Sequence, residues 1–473
     1  MYIYSMSLTV EQKNFVDCVQ SYLNNKKTGI FILNAPAGTG KTFTINYIRK
    51  FIKCDRGVIV LAPTHKAASL ISAMTIHRFF NAEKDVNEDG DVVFNFDVKK
   101  YNVHADIIIV DEASMIGVEM YELFKILSER YLIIFCGDQC QIPPVKEDKS
   151  PIFNKKNHTE NTLCFSFTKN MRSKDSLSNH WLQKFRDNID TRNVVYIDRQ
   201  SFSDCLTLFN NNQDTVMLAW TNKQVNVLND KIRTYLFKKN KADVLNKYYK
   251  GETLVFSGFR NTLTDSIVNT NRMLFDIKSK IPNFYKESKE SEEYEYIKQS
   301  DPLNKITFYK YYSSDLFEIK KIHMISLFIP YFMCPHQKKD GTKIKKCGDC
   351  NLKGHNILGR DIKFHVIEDE KSTIWLSVDD SDESELKSIM SEYKSYCIHK
   401  KNKDIWKVYY SVREILMPDI NYRYASTVHK AQGSQWSNVV VDITNLRLCR
   451  DIHLNSRLQY TAVSRMQDLV QFV

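Results

Sequence analysis

The segment Asn34-Ala35-Pro36-Ala37-Gly38-Thr39-Gly40-Lys41-Thr42 lies between an apolar run, Ile30-Phe31-Ile32-Leu33, and a helix-patterned stretch from Phe43 to Phe51. A glycine-rich turn between strand and helix aims several backbone N–H groups at one point, where the helix dipole also favours negative charge. Ala37, Gly38, Thr39 and Gly40 form the expected phosphate cradle. Lys41 adds a mobile cation for the β- and γ-phosphates, and Thr42 a hydroxyl for Mg²⁺. The first position of this P-loop pattern is Ala35 rather than glycine, while the two glycines nearest the phosphates are kept. Binding of a nucleoside triphosphate is therefore the first expectation.

At 473 residues the chain is too long for one core and should divide into about two to four domains. A hydrophobic fraction of 43% and a charged fraction of 26% describe an ordinary soluble chain. No uninterrupted apolar run approaches the ~20 residues that span a bilayer, and Met1–Met6 lacks the basic start and apolar core of a signal peptide. The expected location is intracellular, in cytoplasm or nucleus, with no membrane partner. A net charge of +11 suits an anionic partner such as nucleic acid, although charge alone barely separates binders from other basic proteins. The 11 cysteines are scattered apart from one cluster, as expected of reduced thiols.

Apolar strands alternate with amphipathic helices from Leu8 to about Phe80, the pattern of an α/β domain with a parallel sheet. Val58–Ala62, Ile107–Val110, Tyr131–Phe135, Val216–Trp220 and Val439–Ile443 read as further strands. A polar stretch from Glu83 to Lys100 interrupts the pattern. Within it Asn87-Glu88-Asp89-Gly90-Asp91, followed by Val92-Val93-Phe94, reads as a β-hairpin. Between about Asn246 and Asp419 the rhythm is lost, and the charge runs Lys286–Glu295 and Asp379–Glu385 read as solvated loops.

Asp111-Glu112-Ala113-Ser114 follows the apolar run Ile107–Val110. A carboxylate at the carboxyl end of a parallel strand beside the P-loop is placed to hold Mg²⁺, so Asp111 is the expected metal ligand with Thr42. Glu112 can orient and deprotonate the attacking water. Gly137-Asp138-Gln139-Cys140-Gln141-Ile142-Pro143-Pro144-Val145 ends the next strand, and Gln141 is suited to sense the γ-phosphate through its amide.

The order of these segments resembles superfamily 1 DNA helicases of the RecD-like group, the Dda-like members in particular. The resemblance is carried by Leu8–Gln12, Ala35–Thr42, Ala62–Ala68, Thr75–His77, Asp111–Ser114, Gly137–Pro144, Asn170–Arg172, Ala219–Lys223, Ser426–Gly433 and Tyr460–Arg465. Each short segment is weak alone; their order is specific. It covers residues 8–235 and 420–473 and leaves the middle unmatched.

The resemblance implies two RecA-like P-loop motor domains. The first would span 1–170 with a pin hairpin inserted at 81–104, and the second 171–245 with 420–473. Residues 246–419 would be a mostly-β accessory insertion. It also implies that Gln12 reads adenine, giving a preference for ATP, and that Gly433 contributes to the nucleotide site. Arg172 and Arg465 would reach the γ-phosphate from the second motor domain. Single-stranded and forked duplex DNA are the implied partners, together with replication or repair proteins. The DNA track would use Pro63, Thr64, His65, Thr75 and His77 on one side and Asn222, Thr427 and His429 on the other. Trp220 is equally readable as a stacking face or as a core residue. Phe94 or Phe96 would stack on the first base pair as a wedge, at a cost of a few kcal/mol of unstacking. The implied activity is ATP-dependent helicase translocation, 5′ to 3′. A translocase that remodels DNA without strong unwinding, an RNA helicase and a non-catalytic ATP-gated scaffold are the rival readings.

Cys334, Cys347, Cys350 and His355, with His336 beside the first, are candidate zinc ligands. Cys-x-x-Cys plus one Cys and a His can supply a tetrahedral set. The first half is a lone Cys rather than a second Cys-x-x-Cys, so a basic loop with reduced thiols is the competing reading.

Overall fold

The computed structural model describes residues 8–473 except 96–102, 145–146, 172–175, 192–194, 212–213, 239–244, 257–314, 333–356, 372–373 and 402. The chain forms two compact units. One comprises 1–82, 96–245 and 422–473, and the other 83–95 with 246–421.

The first unit contains two parallel sheets, and each organises a lobe. In chain order the first-lobe strands are β1 (Gly29–Asn34), β2 (Val58–Ala62) and β3 (Met74–Thr75). The chain then leaves for a hairpin, β4 (Glu83–Val86) and β5 (Val92–Asn95), and returns as β6 (Ile107–Val110), β7 (Leu132–Gly137) and β8 (Thr162–Ser166). The sheet order is β3-β2-β6-β7-β1-β8, and every pairing is parallel. A parallel sheet must be covered on both faces, which is why its strands read as unbroken apolar runs. Alternate residues sort cleanly between those faces. Ile30, Ile32, Ile108, Val110, Ile133 and Phe135 join one core with Phe80, Tyr121 and Phe124. Phe31, Leu33, Ile107, Ile109, Leu132 and Ile134 join the other, under helices α1 (Val10–Asn24) and α2 (Lys41–Phe51).

The second lobe repeats the plan with β9 (Thr215–Ala219), β15 (Ala425–Thr427), β16 (Trp436–Val441) and β17 (Met466–Phe472). Their order is β15-β9-β16-β17, all parallel. Three of its helices matter below: α6 (Ser176–Thr191), α8 (Asn222–Phe237) and α12 (Ile452–Val463). Val216, Leu218, Val439 and Val441 pack with Phe185 and Ile189 of α6 and Leu458 and Tyr460 of α12. Met217, Ala219 and Val440 face Leu228 and Ile232 of α8 on the other side. The parallel α/β architecture of both lobes matches the expected fold class, and the accessory segment is built around an antiparallel sheet, as expected.

The second unit contains β10 (Thr253–Phe256), β11 (Leu316–Phe332), β12 (Ile357–Asp369), β13 (Ile374–Val378) and β14 (Ile420–Tyr422), in the order β13-β12-β11-β10-β14. Two helices, α9 (Glu383–Lys400) and α10 (Lys403–Leu416), supply Leu386, Ile389, Met390 and Leu416 to its core. Of the acidic run Asp379–Glu385, expected to be a loop, residues 379–382 form a turn and Glu383–Glu385 open α9. Asp382 stands at the N-cap position and Glu383 and Glu385 fill the first turn, where the helix dipole stabilises carboxylates. The run Lys286–Glu295 lies outside the described residues.

By chain order the hairpin interrupts the first lobe; by packing it belongs to the second unit. Its turn forms where expected, with Asn87 Oδ1 accepting from the N–H groups of Asp89 and Asp91 at 3.1 and 2.7 Å. Helix α10 grips that turn. Trp406 Nε1 donates to the Glu88 carbonyl at 3.1 Å and Tyr410 OH to the Gly90 carbonyl at 2.8 Å. Lys403 and Lys407 both pair with Asp85. Phe94 lies on β5 opposite Lys84, and Phe96 is outside the described residues.

Gly90 has φ +88°, and a Cβ there would lie 2.3 Å from the Trp406 ring. Gly90→Ala is therefore expected to lower stability by about 1–3 kcal/mol and to speed amide exchange in the hairpin. An unchanged melting temperature would show that the contact is dispensable.

Candidate nucleotide cleft and nucleic-acid track

The first lobe presents its strand carboxyl ends, the place where open parallel sheets bind ligands, and the second lobe the segments that lead into β16 and β17, to a cleft of about 320 Å³. The P-loop from Ala35 to Thr42 contributes most of the first-lobe wall, together with Asp111, Glu112 and Gln141. Gly433, Gln435, Ser464 and Arg465 come from the second lobe. The sequence-predicted residues Ala37, Gly38, Gly40, Lys41, Thr42, Asp111, Glu112, Gln141, Gly433 and Arg465 are thus brought to one space. Thr39 is buried behind the loop, its hydroxyl donating to the Pro36 carbonyl at 2.8 Å. Gly40 caps α2 with φ +85°. A Cβ there would sit 2.4 Å from Gln12 Nε2, so this position needs glycine on two counts.

Lys41 Nζ lies 2.8 Å from Asp111 Oδ1 and 3.8 Å from Glu112 Oε1. Burial opposes the charge on Lys41, but the two carboxylates outweigh it and hold the ammonium pKa above its ordinary value. Lys41 and Asp111 therefore face each other as an ion pair. Glu112 adopts φ +52°, a left-handed conformation uncommon outside glycine. Its N–H donates to Asp111 Oδ1 at 2.8 Å.

Arg465 is 4% exposed and tied within its own lobe. It donates to Ser464 Oγ at 2.9 Å and to the Thr461 and Ser434 carbonyls at 3.3 and 3.4 Å. The Gln141 side-chain carbonyl is buried and has no hydrogen-bond partner among the described residues. Arg172 lies outside the described residues; its neighbour Met171 lines the cleft and donates its N–H to the Gly38 carbonyl at 2.6 Å.

Gln12 makes its bonds inside the first lobe. Its Oε1 accepts from Thr9 N at 3.0 Å in a capping box, and its Nε2 donates to the Thr39 carbonyl at 3.2 Å. The side chain is buried against the back of the P-loop and is not part of the cleft lining.

The predicted track residues occupy helix starts and strand ends. Thr64 Oγ1 accepts from Ala67 N at 3.2 Å and Thr75 Oγ1 from Arg78 N at 3.3 Å. Thr427 Oγ1 accepts from Lys430 N at 3.3 Å in the second lobe. Each hydroxyl keeps its own proton to donate. Pro63 and His65 flank Thr64 and are half-buried, as is His77, while Asn222 and His429 are exposed. Burial holds the His77 pKa below the ordinary value. Trp220 is partly buried against the second-lobe core, and its backbone N–H donates to Asn445 Oδ1 at 2.8 Å.

Several residues of this region escaped the sequence reading. Lys66 Nζ stacks 4.6 Å over the Trp436 ring and joins the two lobes. Burial pushes its ammonium down to about 8, with the Arg465 charge adding to the effect against Asp214. Gln432, Tyr460 and Thr461 lay inside quoted motifs without an assigned role, and Arg186 had no signal at all. The candidate zinc ligands Cys334, Cys347, Cys350 and His355 fall outside the described residues. Among the described residues no group of three or more His, Cys, Asp or Glu side chains is placed to hold a metal ion. No described helix is long and apolar enough to cross a membrane.

Residues 18–147 match the AAA domain family and residues 422–473 the UvrD-like helicase C-terminal domain. An uncharacterised protein of Acanthamoeba polyphaga mimivirus is 22% identical over 506 residues, covering 96% of this chain and 97% of that one. The ATP-dependent DNA helicase Dda of Enterobacteria phage T4 is 26% identical over 284 residues, 54% of this chain and 63% of Dda. The ATP-dependent DNA helicase Pif1 of Campylobacter jejuni is 26% identical over 226 residues, 42% of this chain and 49% of the relative. Alignment with an uncharacterised Methanocaldococcus jannaschii protein covers 94% of this chain but only 36% of that longer one.

Removing Lys41 would leave two buried carboxylates facing each other. Lys41→Ala is expected to destabilise the nucleotide-free protein by up to about 3–5 kcal/mol in chemical denaturation. Adding Asp111→Asn should recover part of that loss, and no recovery would mean that the pair is not the origin of the effect.

Proposed function

We propose that this chain, a relative of the superfamily 1 helicases of the Dda and Pif1 kind, is an ATP-dependent DNA helicase. The observation that carries the reading is the shared cleft, whose P-loop, Asp111 and Glu112 come from one lobe and whose Gly433 and Arg465 come from the other. A site completed by two lobes ties the state of the nucleotide to the distance between them.

Lys41, now held by Asp111, would exchange that partner for the β- and γ-phosphates as nucleotide enters. The oxygen donors Thr42 and Asp111 both line the cleft and suit a hard cation, so they would hold Mg²⁺, which neutralises phosphate charge when bound. Glu112 accepts the proton of the attacking water, a role worth about 10²–10⁴ in rate. Arg465, with Arg172, stabilises the charge that develops on the γ-phosphoryl group, worth ~10³ or more. Gln12, which supports the P-loop through the Thr39 carbonyl, is the proposed adenine contact.

Thr64, Thr75 and Thr427, with Pro63, His65, His77, Asn222 and His429, form the proposed phosphate-contacting track for single-stranded DNA. Opening and closing of the cleft would then step the lobes along the strand, 5′ to 3′ by likeness to the Dda group. The hairpin at 83–95 is the proposed wedge at the fork, braced by Trp406 and Tyr410.

Lys41→Ala and Glu112→Gln should each reduce DNA-stimulated ATP turnover by at least about a hundredfold. In a strand-separation assay the wild type should open a 5′-tailed duplex and leave a 3′-tailed one intact. The reverse preference would overturn the polarity, and turnover undiminished by Glu112→Gln would overturn the mechanism.

A further inference from the structure

The loop Asp138–Ile142 extends β7 of the first lobe, yet its polar groups are bonded mainly to the second. Tyr460 OH donates to Asp138 Oδ2 at 2.5 Å, and Arg186 Nη1 donates to Asp138 Oδ1 at 2.9 Å and to Tyr460 OH at 3.0 Å. These three side chains close a ring across the lobe boundary. Asp138 is 0% exposed and Tyr460 1%. Beyond the ring, Arg457 donates to the carbonyls of Gln139 and Gln141. Ile142 N–H donates to Thr461 Oγ1 at 3.2 Å, and Gln432 Nε2 donates to the Ile142 carbonyl at 3.1 Å. Asp138 Oδ1 also accepts Cys140 N–H at 3.1 Å, so the same carboxylate shapes the turn that presents Gln141.

We infer that Arg186 and Tyr460 are positioning residues for hydrolysis: by fixing Asp138 they dock this loop on the second lobe and set Gln141 in the cleft with Arg465. The inference rests on the reading of the cleft as an ATPase site. Tyr460 lies in α12, whose C-terminus leads directly into Ser464 and Arg465. One rigid element therefore carries both the anchor of the Gln141 loop and the arginine that faces the nucleotide. The Gln141 loop, although covalently part of the first lobe, is thereby held to the second. Burial opposes charge on Arg186, but Asp138 outweighs it and keeps the guanidinium pKa above its usual value. Burial and the Asp138 charge raise the Tyr460 pKa, which keeps the phenol a donor.

A positioning role through Gln141 differs from a simple lobe-to-lobe tether in one measurable way. If Arg186 acts through the loop, its loss has nothing further to remove once the Gln141 amide is gone. The test uses the full chain, with ATP turnover measured at saturating single-stranded DNA. Arg186→Met, Arg186→Lys and Tyr460→Phe are compared alone and combined with Gln141→Ala, alongside binding of a fluorescent ADP. Arg186→Met and Tyr460→Phe should each lower kcat by about tenfold with KM for ATP changed less than about twofold, the signature of a lost transition-state contact. Arg186→Lys should restore much of kcat. In the Gln141→Ala background neither change should lower kcat further. Should Arg186→Met fail to fold, Tyr460→Phe carries the test, because it leaves the ion pair in place. Multiplicative losses with Gln141→Ala, or a Tyr460→Phe variant with wild-type kcat, would overturn the positioning role. Turnover independent of Lys41 and Glu112 would instead remove the hydrolytic reading of the cleft, and the positioning role with it.

Discussion

A carboxylate with no access to water has to find its compensation inside the protein, and Asp138 finds it across the boundary between two lobes. An unpaired buried charge costs several kcal/mol, so the two lobes cannot part at this point without a new partner for Asp138. The nucleotide pocket obeys the same constraint a few residues away. Asp111, also buried, is compensated by Lys41, the side chain that incoming phosphates would claim. The two compensations differ in reach: the Asp138 set ties one lobe to the other, whereas the Lys41–Asp111 pair is closed within the first lobe and faces the shared cleft.

The second unit imposes a different constraint, through connectivity. It is made of two chain segments, 83–95 and 246–421, of which one leaves and re-enters the first lobe and the other does so for the second. The hairpin has too few residues to fold alone, since an isolated two-stranded ribbon is marginal in water. Its stability has to come from α10, through the Trp406 and Tyr410 hydrogen bonds and the small cluster of Val86, Cys397 and Trp406. A hairpin supported in this way is stiffened by a unit that is tethered by chain to both lobes.

The parallel sheets and the first-lobe half of the nucleotide cleft were legible in the sequence because short-range chemistry specifies them. Apolar runs buried on both faces define the strands, and Gly38, Gly40 and Lys41 have no easier explanation than a phosphate. Other features depend on long-range partners and left no local sign. Gln12 shares a local capping box with Thr9, but its bond to the Thr39 carbonyl joins positions 27 residues apart. The run Asp379–Glu385 reads as loop because acidic residues in a first helical turn look like any solvated charge run. Arg186 is a single arginine in an amphipathic helix, and only the fold places it 2.9 Å from a carboxylate 48 residues away.

Glu112 shows why the catalytic turn takes the form it does. A glutamate held at φ +52° carries backbone strain of about 1–3 kcal/mol, which a glycine would relieve. Glycine has no carboxylate, and the proposed activation of water needs one at this position. The strain is sustained because both sides of the turn are fixed. Asp111 is buried and paired with Lys41, and Ala113 lies against β7, where a Cβ at Gly137 would come within 2.9 Å of the Ala113 backbone. Between those anchors Glu112 takes the left-handed conformation. The rigid frame of β6, β7 and the helical turn Ala113–Met115 thus fixes the position of the proposed base.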